Sequence, residues 1–149
     1  MTIRPLFTRL LAGLLILSAV PAFAAKRTVA IDAPARAVAG SKVMITVTAN
    51  TDAADGEKIG FFHAEYSVDG GKKWTGFCYD EKLGVKATRA VTIPVGAKGS
   101  QTKVRVLVAF RGGKAGDVDF NGAPIKWDGS WGKWESPPAK LATIDVVAL

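Results

Sequence analysis

Apolar and polar residues alternate with a period of two along most of this chain. That period puts one set of side chains on each face of an extended strand, so the chain is committed to sheets whose apolar faces must meet. Arg27 to Asp32 (RTVAID) reads as a first edge strand, broken by Pro34. Lys42 to Ala49 sets Val43, Ile45 and Val47 against Met44, Thr46 and Thr48. Ile59 to Val68 sets Phe62, Ala64, Tyr66 and Val68 on the expected core face, with Phe61, His63, Glu65 and Ser67 opposite, on a face expected to be exposed. Asp69-Gly70-Gly71 tolerates positive φ and predicts a hairpin into a returning strand over Lys73 to Tyr79. Arg89 to Val95, Thr102 to Phe110 and Lys140 to Val147 complete about seven strands. No long helix-period stretch or heptad interrupts them. The expected fold is all-β, a single antiparallel two-sheet sandwich with a long loop before its last strand.

The first 24 residues have a different character. Arg4 and Arg9 form a basic start, Leu10 to Val20 is an apolar run too short to span a bilayer comfortably, and Ala22-Phe23-Ala24 is a small-x-small cleavage site. Residues 1–24 read as a secretory signal peptide, cleaved near Ala24, and residues 25–149 as the domain. The expected location is therefore periplasmic or secreted. The residue after the cleavage site is alanine rather than cysteine, which argues against a lipid anchor. No second long apolar run follows, so no membrane span is expected in the mature protein.

The whole chain has 20 Lys+Arg and 13 Asp+Glu. The leader removes two arginines and no acid, leaving 18 against 13, a net charge of +5. The basic residues (Lys42, Lys58, Lys86, Lys103, Arg105, Lys140) are scattered in sequence and read as a solvated surface. Nucleic-acid binding wants a clustered stripe and is not expected. Weak attraction to anionic surfaces is consistent with the charge. Cys78 is the sole cysteine, so an internal disulfide is excluded, and its aromatic neighbours suggest a buried, inert thiol.

The connection from Arg111 to Ala139 (residues 111–139) far exceeds usual hairpin lengths, which marks it as functional or disordered, and its tryptophans favour order. Two patterns lie in it. Asp117, Asp119 and Asn121, with Gly122 and then Asp128, fit the D-x-D-x-N-G-x5-D spacing of a calcium loop, which gathers oxygens on a short arc. The competing explanation is a turn whose Asp and Asn side chains bond local backbone. Trp127, Trp131 and Trp134 alternate with small and polar residues including Asp128; they form either a platform for stacking on sugar rings or apolar anchors for the loop. His63 has one same-face acid, Glu65, and no second histidine. No nucleophile, acid–base pair or phosphate-binding loop can be assembled, so no enzymatic activity is expected.

Ser67-Val68-Asp69-Gly70-Gly71-Lys72-Lys73-Trp74 resembles the Asp-box hairpin, S-x-D-x-G-x-x-W, at all four signature positions: Ser67, Asp69, Gly71 and Trp74. In that motif the aspartate folds back on turn amides and the tryptophan packs beneath. The motif is structural, and a single copy implies a hairpin, not a glycosidase. The wider run AEYSVDGGKKWT resembles the C–C′ hairpin of immunoglobulin-like and fibronectin type III-like domains of bacterial secreted proteins. The resemblance implies an immunoglobulin-like sandwich. Together these features suggest a secreted, non-enzymatic binding module that meets a carbohydrate, a cell-envelope component or a protein partner through loop 111–139. The alternative is a structural or accessory subunit of an extracytoplasmic complex, docking through Phe61, His63 and Glu65 and an edge strand.

Overall fold

The computed structural model describes residues 24–125 and 139–148. The strands are β1 (Arg27–Asp32), β2 (Arg36–Val38), β3 (Lys42–Thr51), β4 (Lys58–Ser67), β5 (Thr75–Glu81), β6 (Lys86–Pro94), β7 (Gln101–Gly113), β8 (Gly116–Val118) and β9 (Lys140–Val147). They form two sheets. One has the order β1-β3-β6; the other has the order β2-β9-β7-β4-β5, with β8 added beside β7. No helix occurs among the described residues. The strand order is that of an immunoglobulin-like sandwich in which β5 joins the sheet of β4 and β7.

The alternation explains the inner faces. Ile45, Val47 and Ala49 of β3 are buried against Phe62 and Ala64 of β4, Ile93 of β6, Val104, Val106, Val108 and Phe110 of β7, and Ile144 and Val146 of β9. β-Branched residues suit these positions because they lose little rotamer freedom on a pleated surface. All seven expected strands are present, and two short ones join them. β2 arises because the first segment changes sheets. At Ala33-Pro34-Ala35 it leaves β3, since proline has no amide to donate to a ladder, and then runs parallel to β9. That pair is the exception to an otherwise antiparallel arrangement.

The outer face of β4 departs from expectation. Phe61 is fully buried, His63 is 8% exposed and Glu65 is half-buried, so this is not an open sheet face. The chain after β8 folds back over the sheet, and Ile125 packs with Phe61, Leu107 and Ala109 in a second apolar cluster on the outer side. Val68, expected in the core, is 37% exposed because β4 ends at Ser67 and the hairpin begins. Two bulges shape the central strands. One lies between Ile59 and Phe61, where Gly60 sits under the Arg111 side chain; a Cβ there would come within 2.2 Å of Arg111 Cδ. The other, between Ala64 and Glu65, sets Phe77 as the extra residue of β5 and turns both Phe77 and Cys78 toward the core.

The base of the sandwich is tied by a buried ion pair. Arg27 at the start of β1 donates Nε to Glu57 Oε1 at 2.8 Å and Nη2 to Oε2 at 2.5 Å. Thr51, at the end of β3, donates Oγ1 to Glu57 Oε1 at 2.6 Å. The Glu57 side chain is fully buried, and these three donors take the place of hydrogen bonds to water. Arg27→Met leaves the charge unpaired and should lower unfolding free energy by about 3–5 kcal/mol. Urea denaturation measures this; Arg27→Met with Glu57→Met should recover most of the loss.

Candidate functional site

The outer face of the six-stranded sheet gathers the chemically distinctive side chains. In register across it, Leu141 of β9 lies beside Arg105 of β7, which lies beside Glu65 of β4, which lies beside Gly76 of β5. One row further on, Leu107 pairs with His63, and His63 with Tyr79. The row after that holds Ala109 and Phe61. The face therefore grades from polar near the β4–β5 hairpin to apolar near Ile125.

Its polar part is a chain of charge-assisted contacts. Arg105 donates Nε to Glu65 Oε2 at 2.6 Å, and its guanidinium stands 4.1 Å from the Trp74 ring centroid. Stacking on the indole and pairing with a carboxylate fix the guanidinium plane from two directions. Glu65 Oε1 lies 3.5 Å from His63 Nε2. The His63 ring is edge-on to Tyr79 at 5.4 Å and to Phe61 at 5.9 Å. Burial pushes the His63 pKa below its usual value; Glu65 pulls it up, and Arg105 adds to the downward push. Tyr79 and Leu141 are 54% and 59% exposed, so this face offers apolar area to solvent on both flanks.

The β4–β5 hairpin supplies Trp74. Ser67 donates Oγ to Asp69 Oδ1 at 2.7 Å, and Asp69 Oδ1 accepts from the amides of Lys72 at 3.0 Å and Lys73 at 2.9 Å. The Ser67 hydroxyl, followed by the Lys73 amide, holds the Asp69 carboxyl below the usual range. Gly71 donates its amide to Ser67 Oγ at 2.8 Å and takes φ 100°, a conformation that side chains resist. A Cβ at Gly71 would meet the Trp74 ring at 3.5 Å, so the indole lies directly beneath the turn. The hairpin thus has the internal bonding that the Asp-box resemblance implies, and it delivers one aromatic to the sheet face.

Two of the four calcium-loop positions, Asp117 and Asp119, have partners within the described residues. Asp117 Oδ2 lies 3.2 Å from Arg111 Nε. Asp119 is 5% exposed, and its Oδ1 accepts from the amides of Asn121 at 2.7 Å and Ala123 at 3.0 Å. The Gly122 amide donates to Asp119 O at 3.0 Å, and Asp119 N donates to Ala123 O at 2.9 Å. These bonds form the local turn that the sequence offered as the competing explanation. Among the described residues, no group of three His, Cys, Asp or Glu side chains is placed to hold a metal ion. Asp128, Trp127, Trp131 and Trp134 lie outside the described residues. The segment that carries them is approached by Ile125 and left by Ala139, and both pack on the Phe61–Leu107–Ala109 cluster.

The Arg105–Trp74 contact was not legible in the sequence. Alternation puts Arg105 on the outer face, but the partner depends on the exact length of the hairpin. Cys78 is on the other side of β5, in the core, with its Sγ 3.4 Å from Asp80 Oδ2. Burial first, then the neighbouring Asp80, pushes the thiol pKa up to about 12.

Two measurements follow. Cys78 should resist iodoacetamide at pH 8 in the native protein and alkylate readily in denaturant; fast native labelling would contradict its burial. His63 is the one histidine of the chain. Its folded pKa lies below the unfolded 6.5, so its contribution to stability is intact above that pH and is lost as pH falls toward the folded value. Melting temperature should drop between pH 7 and pH 5, and His63→Gln should flatten that drop. Scans of protein-family models and of curated proteins find no match to this chain, so the site must be interpreted from its own geometry.

Proposed function

We propose that this protein is a secreted, non-enzymatic binding module, working in the periplasm or beyond after loss of residues 1–24. Its ligand, a carbohydrate, cell-envelope component or protein partner, would meet the outer face of the six-stranded sheet together with loop 111–139. One observation carries this. The described residues on either side of 126–138, Ile125 and Ala139, both pack on the apolar cluster of that face. Ile125 and Ala139 therefore both stand at the apolar end of the same sheet face that carries Tyr79, His63, Glu65 and Arg105. A rigid sheet with an aromatic connection rooted on it is a common way to build a recognition surface. In this proposal Trp127, Trp131 and Trp134 provide stacking area, and Asp128 hydrogen-bonds hydroxyl groups.

An accessory subunit is the weaker alternative. It would have docked through Phe61, His63 and Glu65, and the first two are covered. What supports it is the set of edge strands: among the described residues, β1, β5 and β6 each pair on one side only. A glycan array separates the two. Specific hits are expected with the purified chain from Ala25 onward. Trp127→Ala and Trp131→Ala should each weaken them by about 1–3 kcal/mol, the usual worth of an aromatic anchor, with melting unchanged. A blank array together with stoichiometric recovery of one envelope protein in a pull-down would favour the accessory subunit.

A further inference from the structure

Charge is unevenly divided between the two ends of the sandwich. One end consists of the 39–41 turn, the 68–74 hairpin, the 95–100 connection and the end of β9. Hydrogen bonds make these pieces one surface. Gly70 donates its amide to Gln101 O at 3.0 Å, Val95 to Ser41 O at 2.9 Å, and Gly99 to Val146 O at 3.0 Å, while Gly96 donates to Thr102 Oγ1 at 3.0 Å. Arg36, Lys42, Lys72, Lys73, Lys98 and Lys103 lie on this end or at its rim. The carboxylates on these pieces are Asp69 and Asp145, with Asp32 below them at the end of β1. The first two are already engaged, Asp69 by Ser67 and two turn amides, and Asp145 by Gln101 Nε2 at 3.1 Å. At the opposite end, residues 26–27, 52–58, 81–86 and 111–119 hold seven basic and six acidic side chains, which nearly balance. Among the described residues the excess positive charge is thus gathered at one end, although its lysines are far apart in sequence.

We propose that this end docks on an anionic phospholipid surface. Lys42, Lys72, Lys73 and Lys98 are exposed, and no ion pair engages them among the described residues. They are point charges spread over three connections instead of converging on one pocket, which suits many headgroups more than one bound phosphate. Val68 and Val147, 37% and 38% exposed, stand at the same end, and Met44, 70% exposed, lies on its flank. Exposed apolar side chains among unpaired lysines match the boundary between headgroups and acyl chains. A nucleic-acid strand would want aromatic faces to stack on. Trp74, the tryptophan of this end, is covered by Gly71 on one side and lies against Arg105. The proposal does not depend on the ligand suggested for the sheet face.

The test uses the chain from Ala25 onward, which carries every described strand, so that the apolar leader cannot bind lipid on its own. Flotation with phosphatidylcholine vesicles containing phosphatidylglycerol should carry the protein at low salt and release it at high salt; pure phosphatidylcholine should not carry it. Each lysine near such a surface is worth about fivefold in affinity, so Lys72→Gln, Lys73→Gln and Lys98→Gln together should weaken binding on the order of 10²-fold. The matched triple Lys58→Gln, Lys82→Gln and Lys86→Gln changes net charge equally at the other end and should leave binding nearly unchanged. If the first triple loses cooperative unfolding, its single substitutions, each expected to cost about fivefold, take its place. Equal losses in the two triples, no binding to the anionic vesicles, or tighter binding to a single-stranded oligonucleotide would each overturn the proposal.

Discussion

The arrangement rests on one requirement: the central pair β4 and β7 must be buried on both sides. Their inner faces supply Phe62, Ala64, Val104, Val106, Val108 and Phe110 to the interior of the sandwich. Their outer faces carry Phe61, Leu107 and Ala109, which a bare sheet would leave in water. At roughly 25 cal/mol per Å² of apolar surface, a phenylalanine and a leucine there are worth several kcal/mol if covered. That gain orders the chain beyond β8. It explains why the chain from Asp119 to Ile125 folds back on the sheet, and why the face that receives it is where recognition is proposed.

Polar groups follow the same economy of space. Glu57, Ser67, Thr102 and Asp119 are buried, and each has donors or acceptors supplied within the described residues. Three of these four close loops, so they set where strands end more than how firmly the interior packs. At the seam between the sheets, Arg89 of β6 pairs with Asp80 of β5 at 2.5 Å. This charged contact joins an edge strand of one sheet to an edge strand of the other through side chains alone.

Much of the scaffold was legible in the sequence. Strands β1 and β9 match their expected limits, and β3, β4, β6 and β7 differ at their ends by a few residues, because period-two burial is a one-body property of each strand. The Asp69 hairpin was legible for a similar reason, since all its partners lie within a few residues. The covering of Phe61 was not. It depends on Ile125, more than sixty positions later, and alternation is blind to a second layer arriving from outside. The inward turn of both Phe77 and Cys78 was equally hidden, because a bulge breaks the period without leaving a signature in composition. At the site, alternation put His63 and Glu65 on one face, whereas Arg105 and Trp74 meet only through register. For Asp119 the two explanations shared the same residues, and its bonds in the structure are those of the local turn.

The change of sheets at Pro34 bears on how the domain carries load. β1 starts at the base beside the end of β3, whereas β9 finishes at the far end beside β2. A pull on the two ends of the domain therefore acts along the strands. It drags β1 past β3 and β2 past β9, so the backbone bonds of each pair share the force and must fail together. Peeling, which breaks such bonds singly, is avoided. A tethered domain of this build would hold its shape under tension for longer than its thermodynamic stability alone would suggest.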